Sequence, residues 1–377
     1  MPATEVMNSA KSDDLTREVY GVLGIPVDVI EMPVVLHRIA VAAAGAKPFF
    51  ISTPNLNHLV ASRTDAEFRE SLVRSDLCTA DGMPIVWIAR LLGIPIKSRI
   101  AGADIFESLK AAKDSARRLR VFLFGGVEGA AAAACAKLNA EPSGMSCVGS
   151  YDPGFCSVEA MSKPTILNTV NSSNAEFIAV ALGAKKGQSW LLRNHDHLKI
   201  PVRVHLGATI NFQAGTLKRA PEAMKRWGLE WLWRIKEEPY LWRRYWIDGM
   251  VLLRIILTKV LPLIILARRN RSSQRKAQAP RITSAEESTL LTLNLAGDVT
   301  AETIGRAVLG FQKALLVEKD VALDLSNIAS VDARFFGLLL MLRKRLTAKK
   351  RRLRIAGVSP QVARLFHLNG FEYLLES

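Results

Sequence analysis

Leu119-Arg120-Val121-Phe122-Leu123-Phe124-Gly125-Gly126 is a short apolar run that breaks on two glycines before an alanine-rich stretch, Glu128 to Asn139. An apolar run bounded by a turn reads as a strand buried on both faces, as strands of a parallel sheet are. The glycines allow the backbone close to a phosphate or nucleotide, and tight strand–helix packing explains them equally well. Working outward, Pro48 to Thr53, Leu77 to Ala80, Phe177 to Leu182 and Val202 to Leu206 are further short apolar runs, each entering a polar loop. Strands alternating with helices predict an α/β fold, a Rossmann-like, mostly parallel sheet with helices on both faces. Loops that follow strand C-terminal ends then converge on one rim, where such folds bind ligands.

Two rim turns carry the chemistry. Cys78-Thr79-Ala80-Asp81-Gly82-Met83-Pro84 presents a carboxylate at a strand end, followed by a predicted helix from Pro84 to about Leu92. Arg99-Ile100-Ala101-Gly102-Ala103-Asp104 adds a guanidinium, a glycine and a second acid ahead of another helix. One carboxylate, one arginine and two helix starts suit a phosphate-bearing substrate. For these two turns alone, Asp81 and Asp104 acting as helix caps is an equal reading.

The 377 residues are enough for two domains. Residues 1–14 are polar, lack the apolar core of a secretory signal, and are expected to be disordered. The first domain is placed at 15–216. Cys78, Cys135, Cys147 and Cys156 form no CxxC pair and are expected to be reduced and mostly buried in a cytosolic protein. The formal net charge is +16. Fifteen Lys and Arg against five Asp and Glu fall between Leu217 and Lys276, with five of the seven tryptophans. Basic residues among tryptophans fit an anionic membrane surface or a nucleic acid, and the apolar run that follows, Met250 to Ala267, selects the membrane; no nucleic-acid partner is expected. Arg254, Thr258 and Pro262, with Lys259 beside them, make one face of that run polar. This favours a helix lying in the headgroup plane over a full span, with a buried oligomerisation helix as the plainer alternative. Residues 217–268 are therefore a helical appendage and 269–281, with its basic flank, a linker. Residues 282–377 form a second, smaller α/β domain with no nucleophile–base or metal spacing, which reads as a binding module.

From about Ile25 to Trp246 the ordered motifs resemble the WecG/TagA/CpsF family of bacterial glycosyltransferases (glycosyltransferase family 26). They are Thr53-Pro54-Asn55, Ala80-Asp81-Gly82, Arg99-Ile100-Ala101-Gly102, Gly125-Gly126, and Ala214-Gly215 through Lys218-Arg219-Ala220-Pro221, then Gly228-Leu229-Glu230-Trp231 and Glu238-Pro239 to Arg244-Tyr245. Each is weak alone; the ordered set is specific. The resemblance implies transfer of a hexose or N-acetylhexosamine, such as N-acetylmannosamine or glucose, from a UDP-sugar to a polyprenyl-diphosphate-linked saccharide. It also implies a place on the cytoplasmic face of the inner membrane, peripheral or monotopic, in exopolysaccharide or cell-surface polysaccharide synthesis.

An inverting transfer needs a carboxylate to take the acceptor hydroxyl's proton. Asp81 is the base expected here, with Thr53 and Asn55 positioning hydroxyls. Gly82, Gly102, Asp104, Gly125, Gly126 and Asn211 are expected to line the substrate, and Arg99 to face it. No DxD-like pair stands in a rim loop to hold a metal, so no metal or cofactor is expected. The diphosphate would instead meet Arg219, Arg226, Arg234 and Arg244; attraction to anionic lipid is the plainer role for each.

The family usually has Pro-Lys-Gln-Glu before a tryptophan where this chain has Lys185-Lys186-Gly187-Gln188-Ser189-Trp190, and often an aspartate at Asn211. Lys186 and Gln188 are the expected contacts in that block, and the changes imply altered sugar specificity or reduced activity. Leu323-Asp324-Leu325-Ser326 and Val331-Asp332 resemble a STAS domain like that of anti-sigma-factor antagonists. Ala333 stands where many such domains carry a phosphorylatable serine, which implies docking or self-association without that switch. Two other readings compete. One is an impaired transferase-fold scaffold acting through the STAS-like domain. The other, far weaker, is a nucleotide-dependent oxidoreductase, which would need a GxGxxG that the chain lacks.

Overall fold

The computed structural model describes residues 13–112, 117–272 and 278–376, apart from the side chains of residues 226 and 269–272. Residues 1–12, most of the expected disordered start, lie outside the described residues, as does 273–277 of the expected linker. The chain divides into two compact units, one of Ile30–Trp87 and Ile96–Leu252, the other of Met1–Val29, Ile88–Pro95 and Leu253–Ser377. Elements are numbered in chain order, beginning with the hairpin strands β1 (Val19–Val22) and β2 (Ile25–Asp28), which belong to the latter.

The larger unit opens with α1 (Met32–Ala44), β3 (Phe49–Ser52), α2 (Leu56–Ser62), α3 (Ala66–Val73) and β4 (Leu77–Cys78). It continues through the first part of α4 (Met83–Leu91), which passes into the other unit at Ile88, then α5 (Gly102–Ala111), β5 (Leu119–Gly125), α6 (Ala130–Ala140) and β6 (Met145–Tyr151). Then come α7 (Val158–Met161), α8 (Pro164–Ser172), β7 (Phe177–Ala181), α9 (Ala184–Arg193), β8 (Val202–His205) and α10 (Thr209–Ala214). Six strands form one sheet in the order β4-β3-β8-β7-β5-β6, every neighbouring pair parallel. The opening run shows why. Val121 and Leu123 join the core on one face, while Phe122 and Phe124 join that on the other, where Phe124 stacks on Trp190 at 4.4 Å. A strand with helices on both sides has no polar face to alternate with.

Helices α11 (Glu222–Arg226), α12 (Glu230–Glu237), α13 (Trp242–Ile255) and α14 (Leu261–Ser272) follow, with a single 3-10 turn at Pro239–Leu241 and a π-helical segment at Ile256–Val260. Pro239–Arg268 is one helical stretch, long and apolar enough by length and composition to cross a membrane, and only 22% of its apolar window is buried. The expected polar face is corrected at one residue. Lys259 is buried in the second unit, where Nζ donates to the His367 carbonyl at 2.7 Å and pairs with Glu372 at 3.3 Å.

That second unit contains β9 (Arg281–Glu286), β10 (Leu290–Val299), α15 (Gly305–Leu316), β11 (Asp320–Val331), α16 (Ala333–Ala348), β12 (Leu353–Val358) and α17 (Pro360–Asn369). Its sheet runs β12-β11-β10-β9, with β9 antiparallel at the edge. Helix α16 is buried nearly all round because the hairpin β1–β2 covers it. A Cβ on Gly337 would sit 1.9 Å from the Val19 carbonyl oxygen, and Arg334 donates to that oxygen at 3.0 Å. The buried Arg17 guanidinium takes Asp28 with two nitrogens (3.1 and 2.7 Å) and Asp14 with a third (2.7 Å), while Lys344 reaches Asp14 at 3.2 Å. Asp13 and Asp14 are therefore fixed, unlike the expected disordered start. Residues 15–29, read from the sequence as part of the first domain, fold with residues 282–376 instead.

The cysteines also differ from expectation. Cys135 on α6 and Cys147 on β6 are joined as a disulfide, Cα atoms 5.2 Å apart, because α6 packs back along β6. Cys78 and Cys156 form no disulfide, and the first is buried.

Candidate active site

Because the six strands are parallel, the loops after β3, β4, β5, β7 and β8 all leave the same edge of the sheet. The turn after β4 is tied to its neighbours through the backbone. Asp81 donates its N–H to the Pro54 carbonyl at 2.9 Å, and Ile100 donates to Ala80 at 2.9 Å. Gly82 takes φ +96°, a conformation glycine adopts without strain, and turns the chain into α4. Gly102 opens α5, and a Cβ there would meet Leu206 at 2.8 Å and the Thr53 hydroxyl at 3.2 Å. Its N–H donates to the Asp81 carboxyl. Thr53, Asp81 and Gly102 thus share one spot on the rim. Burial pushes the Asp81 carboxyl up to about 7; Arg99 opposes this, and Glu230 and Asp104 add to it.

Around Asp81 is a network of charges. Arg99 Nη1 donates to Glu230 Oε2 at 2.5 Å, and its Nη2 donates to Asp104 Oδ2 at 3.1 Å. Arg219 pairs with the other oxygen of Asp104. Asp104 is therefore an ion-pair centre in the first turn of α5 rather than only a cap. Glu230, on α12, was visible in the sequence only as a letter of the Gly228-Leu229-Glu230-Trp231 motif. Gly228 fits closely against Met83 and Trp87, which sets the start of α12 beside the Asp81 turn.

Other expected site residues do different work. Asn55 caps α2, its Oδ1 accepting from the His58 N–H at 3.3 Å and lying 2.9 Å from His58 Nδ1. Burial, then His205 and Arg244, drive His58 down to about 3, so the ring stays neutral. Gly125 and Gly126 take φ +92° and +102°, and Gly126 packs beside Asn211, whose Oδ1 accepts from the Val127 N–H at 3.1 Å. Asn211 thereby pins the glycine turn.

Gln188 is a correction. It is fully buried, its amide exchanging hydrogen bonds with Ser52 Oγ at 3.0 and 3.2 Å, because α9 turns it towards β3 and away from the rim. Lys186 donates to the Cys156 carbonyl at 3.2 Å. Gly187 is explained by His205, whose Cδ2 lies 2.1 Å from where a Cβ would stand. Arg234 pairs with Glu238 and lies over Phe212, and Arg244 lies over Tyr245 at 5.0 Å, so only Arg219 of the four appendage arginines joins the Asp104 network among the described residues. The Arg226 side chain lies outside the described residues.

Comparison with known proteins agrees with these motifs. The profile of the glycosyl transferase WecG/TagA/CpsF family matches residues 20–263, and a STAS-domain profile, Mlab, matches 282–376. An N-acetylglucosaminyldiphosphoundecaprenol N-acetyl-beta-D-mannosaminyltransferase of Bacillus spizizenii (strain W23) is 29% identical over 199 residues, 52% of this chain and 75% of that protein. The protein of the same description from Bacillus subtilis (strain 168) is 29% identical over 195 residues, 52% and 73% of the two chains. Among solved structures, the unphosphorylated anti-sigma factor antagonist SpoIIAA aligns at 16% identity over 25% of this chain and 85% of its own, with a TM-score of 0.23.

Proposed function

The chain belongs to the WecG/TagA/CpsF family of glycosyl transferases, and we propose that it passes an N-acetylhexosamine from a UDP-sugar to a saccharide carried on polyprenyl diphosphate. UDP-N-acetylmannosamine and a diphosphoundecaprenol-linked N-acetylglucosamine are the first donor and acceptor to try, since the names of both curated relatives give N-acetylmannosaminyl as the group transferred and N-acetylglucosaminyldiphosphoundecaprenol as its acceptor. The observation that carries the reading is Asp81, a carboxyl held near neutrality beside the Arg99 guanidinium. A base with a pKa near working pH is the effective kind.

In the reaction, Asp81 takes the acceptor hydroxyl's proton as that oxygen bonds the anomeric carbon from the face opposite the diphosphate. The bond from carbon to diphosphate oxygen breaks, its electron pair leaves with UDP, and the configuration inverts. Arg99 and Arg219 meet the leaving charge. Thr53, against Gly102, orients the reacting hydroxyl.

The alternative of a scaffold without turnover rests on the altered Lys185-Lys186-Gly187-Gln188 block. Packing accounts for that block: Gly187 makes room for His205, and Gln188 bonds Ser52 in the interior. Exposed Trp242 and Trp246 on α13 support contact with the cytoplasmic face of the membrane, where the lipid-linked acceptor lies. The STAS-matching segment serves first, in this reading, to hold the chain's own hairpin on α16. The test is UDP release from a panel of UDP-sugars with lipid-diphosphate-saccharide acceptors, comparing wild type with Asp81→Asn. Release by wild type and none by the variant is expected. Absence of release across the panel removes the transferase reading, and unchanged release by Asp81→Asn removes Asp81 as base.

A further inference from the structure

Three carboxylates, Asp81, Asp104 and Glu230, stand against two guanidiniums, Arg99 and Arg219. With Asp81 protonated, two carboxylates balance two guanidiniums, and once Asp81 gives up its proton the cluster is net negative, so no positive charge is left over for an anionic diphosphate. Arg99 has both terminal nitrogens engaged by carboxylate oxygens, the geometry that two phosphate oxygens would also satisfy. One acid must therefore give way. Asp81 and Asp104 are rooted in turns of the sheet rim: the Asp81 N–H is bonded to Pro54, and Asp104 sits in the first turn of α5, where its N–H bonds the Ala101 carbonyl at 3.0 Å. Glu230 differs, because its helix α12 has no buried residue. A helix whose side chains are exposed or half-buried shifts at less energetic cost than a turn fixed to the sheet rim. The Arg219 Nε is buried without a hydrogen-bond partner, a further donor suited to an incoming anion.

We propose that Glu230 is a positioning residue of the transfer reaction, holding Arg99 in the empty enzyme and giving up that guanidinium to the donor's diphosphate. The proposal rests on the transferase reading of this site. Movement of Glu230 off Arg99 then links donor binding to a shift of α12. It also alters Asp81. The charged groups facing Asp81 are Arg99 from the preceding loop of α5, Asp104 from α5 and Glu230 from α12, and the N–H of Gly102 faces it as well. Glu230 helps hold the carboxyl protonated; with Glu230 neutral, Asp81 loses its proton at lower pH.

The experiment uses the full chain, with UDP alone as binding probe and turnover of the active donor–acceptor pair as kinetic readout. Glu230→Gln is expected to bind UDP about three- to tenfold more tightly, since a competing carboxylate on a partly buried guanidinium is gone. Its donor KM falls, and the acid limb of kcat/KM moves to lower pH. Glu230→Asp keeps the charge and leaves the limb at the wild-type position. UDP binding that is unchanged or weaker in Glu230→Gln, or an acid limb that does not move, overturns the exchange and leaves Glu230 a structural tether. Thermal melting shows whether either variant is folded, and α12's lack of buried residues argues that both are. If wild type releases no UDP across the donor–acceptor panel, the transferase reading fails; if wild type turns over while Glu230→Gln binds UDP no better, only the exchange fails.

Discussion

Replacing Asp81 by asparagine separates what the carboxyl does for chemistry from what it does to the fold. Burial raises it to about 7 from the ordinary 3.8, against the pull of Arg99. An acid with a raised native pKa keeps its proton in the folded chain at pH values where the unfolded chain has released it. Its stabilising contribution is complete below about pH 4 and is lost as pH rises through about 7. Three units at about 1.4 kcal/mol each make roughly 4 kcal/mol. Asp81 keeps some contact with solvent, which brings the figure nearer to ~2 kcal/mol. Asparagine has no proton to lose. The variant should therefore be ~2 kcal/mol more stable than wild type at about pH 8 and equal to it near about pH 4, while turnover falls at least about a hundredfold. Urea denaturation at the two pH values, with hydrogen exchange at the turn after β4, measures the difference. A variant that gains nothing at the higher pH would falsify the claim that the fold holds this carboxyl against ionisation.

Gly187→Ala places a methyl on the His205 ring and should lower stability by about 2 kcal/mol; His205→Ala in the same chain should recover most of it, and melting of the four chains of the double-mutant cycle reads the coupling. Arg17→Met removes the buried guanidinium that Asp28 and Asp14 share, leaving Lys344 beside Asp14, so unfolding of the second unit should become easier by roughly 3 kcal/mol, seen as faster exchange at residues 13–29. Trp242→Ser with Trp246→Ser removes exposed aromatic anchors from α13 and should reduce sedimentation with vesicles of anionic phospholipid several-fold. Undiminished sedimentation would detach α13 from the membrane reading.

Much of the larger unit was legible because its information is local. Strand β5 announces itself through an apolar run ended by glycines, and Asp81, Arg99 and Asp104 sit in turns whose spacing shows them. Strand β6 did not, because Met145-Ser146-Cys147-Val148-Gly149-Ser150-Tyr151 is an edge strand with polar positions. Glu230 was missed as a site residue since its partner Arg99 lies 131 positions away, and no periodicity reports that distance. Gln188 was misplaced for a related reason: on a helix entering from the rim, one residue decides between solvent and sheet, and only the Ser52 hydroxyl settles which. The Cys135–Cys147 pair is likewise a product of how α6 lies along β6.

The same distinction explains why the STAS match begins at residue 282 while the compact unit that contains it also takes in segments from earlier in the chain. The glycosyl transferase profile begins at residue 20 and ends at 263, yet the residues at both of its ends fold with the unit that contains the STAS match. At one end, a hairpin lies against α16 so closely that Gly337 admits no side chain, and its polar anchor is a buried arginine between two aspartates. At the other, Lys259 gives its ammonium to the last turn of α17, where the His367 carbonyl also accepts from the capping Gly370 N–H. Neither contact resembles a loose tether: each buries a charge that is tolerable only with its partners in place. The second unit therefore supplies packing that segments of the transferase family sequence require, and a role confined to recruiting other proteins would leave those buried charges unexplained.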